Sequence, residues 1–326
     1  MRFLKSSIPL SLLSSASFAF PSFAPLHRHQ FALQLSISSY SLPGSDPDRP
    51  SKVNQDSFFH HELDDGKTVA FGVMDGHGLK GHLLTRFLSH EFPSILNECF
   101  LSVDHVPNAD LQDYQARLRD IGKDNDGVHY SHPLCRAFHV AQWSAMQNPN
   151  VPAGRSGTTC IVGVIMNGTR LELGHVGDSR AILIDSDNAI IPLTLETITK
   201  LMPLESTRVK TGEGRVDAFG NVFYGPQGIA MTRSLGNSVM LRAGILPTPI
   251  LMEQTVLNEG STLVLATDGV WDVLSNEQVK DVVMRSVNHD FQDSGRLLAE
   301  AAKRAWIGDL PIEGKVDDIT CMIIRI

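Results

Sequence analysis

Short, continuous hydrophobic runs recur along the chain, and turn-forming residues bound each of them. Runs of this length, rich in Val, Ile and Leu, are typical of strands buried on both faces of a sheet. They predict strands over Val69–Met74, Thr158–Met166, Arg170–Val176, Arg180–Asp185, Thr262–Thr267 and Ile319–Ile326. Asn167-Gly168 lies between two of these runs and predicts a tight hairpin turn.

Other stretches repeat their hydrophobic residues at helical spacing. They predict helices over Leu79–Phe100 (interrupted by Pro93), Pro133–Gln147, residues 275–286 and Gln292–Trp306. Ser275 and Gln278 have the form of a capping box at the start of one of them. The polar residues 101–131 predict an inserted helix plus a loop. Because the strands fill the middle of the chain and the helices cluster elsewhere, the predicted fold class is α+β.

The N-terminal segment differs from the rest of the sequence. It has a basic start, an apolar Ser-rich run over Ile8–Phe20, and no acidic residue before Asp46. Residues 1–45 are therefore predicted to be a targeting presequence or a disordered tail, and residues 46–326 the folded body. The two-part pattern resembles the bipartite plastid presequences of algae with secondary plastids, which implies a plastid location; the alternative is the cytoplasm.

Composition and charge narrow the class of protein. The net charge of −8 argues against nucleic acid as a partner, because nucleic-acid binders concentrate Lys and Arg on one face. The four cysteines show no zinc or disulfide spacing and are predicted to be reduced, buried thiols. No apolar run reaches the length of about 18 residues that a membrane-spanning helix needs. A monomer is the default expectation.

Carboxylates stand at the ends of several predicted strands. Asp75 and Asp268 each follow an apolar run and precede a glycine, Asp56 precedes a short apolar stretch, and Asp317 precedes the last strand. If these strands lie side by side, the four carboxylates converge. An Asp-Gly pair is also a common turn, so the spacing alone leaves a structural interpretation open.

Converging carboxylates repel one another and stay ionised together only beside a cation. Ligands that are all oxygen suit a hard ion such as Mg²⁺ or Mn²⁺, and a pair of such ions activates water for attack on a phosphoryl group. His77 lies two residues from Asp75 and is a candidate proton donor, although a lone histidine is more often structural. His82 is expected to be packed or exposed on the following helix.

Seven segments, in this order, resemble the PPM-type (type 2C) metal-dependent protein serine/threonine phosphatases. They are VNQDSFF, FGVMDGHG, RSGTTCIVGVI, LGHVGDSRAIL, GIAMTRSLGN, LVLATDGVWDVLSNEQV and KVDDITCMII. The resemblance runs from about Lys52 to Ile326. It implies two antiparallel β-sheets in a central sandwich flanked by helices on both sides, with the metals at one end, and phosphoproteins as substrates.

The resemblance also implies roles for individual residues. Asp75 would bridge two Mg²⁺ or Mn²⁺ ions, with the Gly76 carbonyl on one ion and Asp268 and Asp317 on the other. Asp56 would act through metal-bound water. His77 occupies the position of the family's proposed general acid. Asp318 is expected to cap or brace the last strand, while Arg233 and Asp272 either support the site from behind the ligands or form ordinary ion pairs.

The sequence departs from the family pattern at four positions. Gln55 replaces a common glutamate, and Asn237 a usual aspartate. Ser51 stands where many members have an arginine that grips substrate phosphate, a role that Arg49 or Lys52 could take over. Gly154 offers no acid for a third metal, which is therefore in doubt.

Three functions are consistent with these residues. The favoured one is metal-dependent hydrolysis of phosphoserine and phosphothreonine in proteins, with water as the nucleophile and His77 as general acid. The substitutions motivate a second, a pseudophosphatase that acts as a binding or regulatory module. The third is a phosphatase of small metabolites. Target choice is assigned to the surface loops 101–131 and 205–227, which carry no recognisable motif.

Overall fold

Two antiparallel β-sheets packed face to face form the centre of the protein in the computed structural model. The structure describes residues 35–101, 109–121, 131–197, 203–252, 254–287, 289–309 and 314–326. Apolar side chains of both sheets, among them Phe71, Leu173, Leu265 and Met322, form the buried layer between them. This arrangement confirms the predicted α+β sandwich. Among the described residues, no helix is both long and apolar enough to cross a membrane.

The first sheet contains the hairpin predicted at Asn167-Gly168. Its strands are β2 (Ser57–Glu62), β3 (Thr68–Met74), β6 (Cys160–Met166), β7 (Arg170–Val176), β14 (Ile250–Leu251) and β15 (Thr255–Val256). The order is β14-β7-β6-β3-β2, and β15 also pairs with β7. Both hairpin residues have positive φ, which is the backbone conformation that this dipeptide favours.

The second sheet joins the two ends of the described chain. Its strands are β1 (Ser36–Leu42), β8 (Arg180–Ile184), β9 (Ile190–Pro192), β16 (Thr262–Ala266) and β17 (Ile319–Arg325). The order is β1-β17-β16-β8-β9. Strands β16 and β17 are almost wholly buried, because one face meets the first sheet and the other meets helices.

Helices lie outside the sandwich, and five of those described pack on its outer faces. The described helices are α1 (Gly81–Leu101), α2 (Ala109–Ile121), α3 (Pro133–Gln147), α4 (Pro203–Thr211), α5 (Asp268–Trp271), α6 (Asn276–Val287) and α7 (Ser294–Asp309), with 3₁₀ turns over Ser238–Ala243 and Phe291–Asp293. Helices α1 and α3 share a core with the first sheet, and α5, α6 and α7 share one with the second.

Two small sheets complete the described fold. One contains β4 (Gly76–His77), β5 (Gly157–Thr158) and β13 (Leu235–Gly236), in the order β13-β5-β4. The other contains β10 (Arg215–Val216), β11 (Val222–Tyr224) and β12 (Gln227–Ile229). Residues 203–229, which comprise α4 and this second small sheet, are called the α4–β12 segment below.

The predicted boundary at residue 46 is wrong, because the fold already includes β1. This strand pairs with β17 over its whole length, from Ser36 opposite Arg325 to Leu42 opposite Ile319. Its serines have partners: Ser38 Oγ donates to the Gln292 carbonyl at 2.8 Å and accepts from the Gly295 amide at 3.0 Å. A Ser-rich segment therefore serves as the edge strand of this sheet, with Ser38 buried, while residues 1–34 lie outside the described residues.

Two helix predictions are also settled by the structure. Pro93 does not interrupt α1, which continues from Gly81 to Leu101, since Phe92 and Leu96 on either side of the proline are fully buried in the core. The capping box at Ser275 is confirmed: the Ser275 amide donates to Gln278 Oε1, and the Gln278 amide donates to Ser275 Oγ. Of the polar stretch 101–131, residues 109–121 form α2, and the loop predicted beside it falls largely outside the described residues.

Candidate active site

Antiparallel pairing brings the four predicted carboxylates to one end of the sandwich. In the first sheet the end of β3 lies beside the start of β2, with Met74 opposite Ser57, so Asp75 and Asp56 are neighbours. In the second sheet the end of β16 lies beside the start of β17, which brings Asp268 near Asp317. Thr267 Oγ1 donates to Asp56 Oδ2 at 3.0 Å and so links the two sheets directly.

Burial and mutual repulsion shift the pKa values of three of these acids upward. Burial raises the pKa of Asp56 to about 8 and that of Asp268 to about 7. Burial, and then the charges of Asp56 and Asp268, raise the pKa of Asp75 well above its ordinary value. Asp75 and Asp268 also share a hydrogen bond, which requires a proton on one of them. The site therefore holds more negative charge than it can stabilise alone.

Glycine is required after two of the acids because other backbone passes within contact distance. A β-carbon on Gly76 would lie 2.5 Å from the Gln55 carbonyl oxygen, and one on Gly269 would lie 2.0 Å from the Asp318 carbonyl oxygen. Either side chain would separate the elements that carry the carboxylates. The two Asp-Gly pairs are thus close-packing positions at the starts of β4 and α5 rather than turns.

The donor set fits a hard divalent cation. Asp56 Oδ1 and Asp268 Oδ1 are buried and have no hydrogen-bond partner, an arrangement that is costly without a cation. Over the described ranges, no three side chains of His, Cys, Asp or Glu are arranged as ligands of one ion. Asp75 instead bonds with Asp268, and Asp317 with Lys52, so ion binding would exchange these contacts for metal–oxygen ones.

Asp317 and Asp318 have different surroundings. Asp317 is half exposed and lies 3.2 Å from Lys52 Nζ. Asp318 is buried, and its carboxylate accepts from the Gly44 amide at 2.7 Å, the Gln55 amide at 3.0 Å and Lys52 Nζ at 2.9 Å. Asp318 therefore braces the β1–β2 connection against the start of β17, which matches the bracing role expected for it.

His77 lies on β4 and is held by the amide side chain of Asn237, which Gln227 holds in turn. Asn237 Nδ2 is 2.5 Å from His77 Nε2, and Gln227 Nε2 donates to Asn237 Oδ1 at 2.9 Å. With the amide in this orientation Nε2 accepts, so the ring proton is assigned to Nδ1. Burial lowers the pKa of His77 to about 4, so the ring is neutral near pH 7.

A cavity of about 730 Å³ joins these groups, and several other polar side chains line it. Arg49 and Lys52 are both part of the wall, but Arg49 is bonded to Asp46 and Lys52 to Asp317 and Asp318. Two charged wall residues were not predicted as site residues: Asp178, whose pKa burial raises to about 6, and Arg155. Only the GDSR and AGRSGTT motifs around them could have drawn attention to them.

The other residues named from the sequence lie outside the carboxylate site, in structural positions or close to it. Arg233 is an ion-pair partner, bonded to Glu205 at 2.6 Å and to the Thr248 carbonyl at 2.7 Å, and it does not line the cavity. Asp272 is exposed, and its charge contributes to the raised pKa of Asp268. His82 is half-buried on α1. The four cysteines are reduced and buried, as predicted.

Similarity to a known family agrees with this geometry. The family model described as protein phosphatase 2C matches residues 65–306. A relative from Arabidopsis thaliana, named Probable protein phosphatase 2C 1, is 30% identical over an alignment that covers 83% of this chain and 63% of the relative. The chain therefore spans less than two thirds of that relative's length.

Solved structures share the fold at lower identity. A serine-threonine phosphatase 2C from Toxoplasma gondii has a TM-score of 0.67 and 18% identity, over 89% of this chain and 94% of that one. The catalytic domain of the phosphatase PstP, solved with 2 manganese ions, has a TM-score of 0.53 and 18% identity, over 89% and 97%. Since the family model matches most of the chain, the resemblance seen in the motifs is confirmed: the chain belongs to the protein phosphatase 2C family.

Proposed function

We propose that the protein is a metal-dependent phosphatase that hydrolyses phosphoserine and phosphothreonine in other proteins. The observation that carries the proposal is the convergence of Asp56, Asp75, Asp268 and Asp317 at one end of the sandwich. Such a density of carboxylates, two of them with unpartnered buried oxygens, has a clear physical use only if cations occupy the site. Membership of the protein phosphatase 2C family supports the reaction class.

Asp75, the Gly76 carbonyl, Asp268 and Asp317 would hold two Mg²⁺ or Mn²⁺ ions, with Asp56 acting through water. Bound there, the ions would supply an activated water and neutralise charge on the phosphoryl group. Two ions are proposed rather than three because Gly154 has no carboxylate to offer. The manganese ions in the PstP structure support this choice of metal by analogy.

His77 would donate a proton to the serine or threonine oxygen as it leaves. Because Nε2 is engaged by Asn237, donation requires either that the Nδ1 hydrogen faces the leaving oxygen or that the ring is protonated first. Replacing the histidine, as in His77→Gln, should lower kcat on a phosphothreonine peptide by about a hundredfold. For an aryl phosphate, whose leaving group needs no proton, the same substitution should lower kcat much less. An equal decrease in kcat on both substrates would argue against His77 as the proton donor.

The first test is phosphate release from a phosphothreonine peptide by the full chain. Activity should appear with Mn²⁺ or Mg²⁺ and disappear with excess chelator. Asp268→Asn should remove turnover while the protein stays folded by circular dichroism, and Glu213→Gln, an exposed acid outside the cavity, serves as the control.

The outcomes separate the three functions. A folded wild type that binds Mn²⁺ but hydrolyses neither peptide nor aryl phosphate would be a pseudophosphatase. Hydrolysis confined to phosphorylated metabolites would overturn the protein substrate while leaving the metal chemistry in place.

A further inference from the structure

Arg155 is a cation of the candidate active site that pairs with no carboxylate among the residues that the structure describes. Of the described cavity residues with a guanidinium or ammonium group, Arg49 is bonded to Asp46 and Lys52 to Asp317 and Asp318. The Arg155 side chain is exposed and has no hydrogen bond or ion pair with any described residue, although its carbonyl accepts from Gln227 Nε2 at 3.3 Å. A free guanidinium in a cavity dominated by acids is suited to an anionic group that arrives with the substrate.

The fold places Arg155 beside His77 rather than among the carboxylates. Strands β4 and β5 pair His77 with Gly157, two residues after Arg155. The adjacent segments run together: a β-carbon on Gly78 would lie 2.9 Å from the Arg155 carbonyl oxygen, and the Lys80 amide donates to Ser156 Oγ at 3.2 Å. Arg155 therefore lies on the side of the cavity where the proposed proton donor meets the leaving group.

Leu79 lies between these contacts and is 89% exposed. It also lines the cavity, so an exposed apolar side chain stands on the segment that runs beside residues 155 and 156. Exposure of a leucine to this degree is unremarkable alone, but its position at a substrate cavity makes it a contact surface for an incoming chain. Leu79 and Arg155 are called the recognition pair below.

We propose that the recognition pair selects phosphoserine and phosphothreonine sites flanked by an acidic and an apolar residue. The inference rests on the proposed function and names its substrate class. Arg155 would bind the flanking carboxylate, or a second phosphate, through paired N–H···O bonds, and Leu79 would cover the apolar neighbour. The carboxylates of the cavity repel an acidic substrate, so Arg155 supplies the local attraction that such a substrate needs.

The test compares kcat/KM for matched phosphothreonine peptides assayed with Mn²⁺. One peptide carries Glu and Leu beside the phosphothreonine, one carries Lys and Leu, and one carries Glu and Ser. Wild type should prefer the Glu peptide over the Lys peptide by roughly tenfold at low salt, with the preference shrinking at high salt. Arg155→Glu should reverse this order, and Arg155→Lys should keep part of it. Leu79→Ser should remove the preference for Leu over Ser.

Arg304→Ala is the matched control, because Arg304 is an exposed arginine on α7 and does not line the cavity. It should keep the wild-type order of peptides. If Arg155→Glu hydrolyses the peptides in the wild-type order, the inference is wrong while the proposed function stands. If wild type releases no phosphate from any peptide with Mn²⁺, the proposed function itself has failed.

Discussion

The buried aspartates make the stability of the ion-free protein depend on pH. Burial raises the pKa of Asp56 to about 8 and of Asp268 to about 7, from an ordinary value of 3.8. Both groups thus bind protons more tightly in the folded protein than in the unfolded chain. Their contribution to the free energy of unfolding is greatest at low pH and is lost as the pH rises towards 8. A bound cation reverses the preference of these two groups for the protonated form, because it favours the ionised carboxylate.

We expect the melting temperature of the chelator-treated protein to fall between about pH 6 and about pH 8.5. Excess Mn²⁺ should raise it at both values, and more at the higher pH, where the ligands are already ionised. Thermal unfolding in the two buffers, with and without chelator, measures this. Asp268→Asn should make the decrease in melting temperature with pH smaller, because one titrating carboxylate is gone. A melting temperature in chelator that rises with pH would contradict the raised pKa values of Asp56 and Asp268.

Among the elements, strand β1 can be tested for its contribution to the stability of the second sheet. It forms the edge of the second sheet, and Ser38 joins it to the start of α7. A chain that begins at residue 46 would leave β17 as an exposed edge strand and the Gly295 amide without its partner. We expect such a chain to be insoluble or to melt far below one that begins at residue 35. Equal melting temperatures for the two chains would refute this role.

A point substitution tests the same contact without shortening the chain. Ser38→Ala removes both hydrogen bonds of a buried hydroxyl and should cost about 1–3 kcal/mol of unfolding free energy. Ser36→Ala, at a half-buried position on the same strand, should cost much less. Urea denaturation of the two variants measures the difference.

The strands differ in how well the sequence predicts them, and so do the site residues that they position. The runs that became β3, β16 and β17 are apolar on both faces, so their ends, and the acids there, were recognisable. Strand β1 was missed because its buried Ser38 is polar and depends on partners near residue 292. Arg155 was missed because its position depends on the pairing of β4 with β5, each only two residues long.

On the scale of the whole molecule, a buried ionic network joins the α4–β12 segment to the sandwich. Glu205, which is fully buried on α4, accepts from Arg208 at 2.7 Å, Arg233 at 2.6 Å and Thr232 at 2.7 Å. The arginines in turn donate to the carbonyls of Gly244 and Thr248. Because Gln227 of this segment also holds Asn237 against His77, the network fixes one wall of the candidate active site.

Glu205→Gln should destabilise the protein by about 3–5 kcal/mol, since both arginines would remain buried without a counter-charge. Glu213→Gln, which changes an exposed acid in the same segment, should alter the unfolding free energy little.

Burial raises the pKa of Glu205, but its bonds to Arg208 and the charge of Arg233 outweigh that effect and hold the pKa at about 2, below the ordinary 4.5. Its stabilising contribution is therefore present above about pH 4.5 and is lost as the pH falls towards 2. Urea denaturation at neutral and acid pH measures the difference in unfolding free energy between wild type and Glu205→Gln, and this difference should become smaller as the pH falls. A difference that stays constant with pH would mean that the charge of the Glu205 carboxylate does not join the α4–β12 segment to the sandwich.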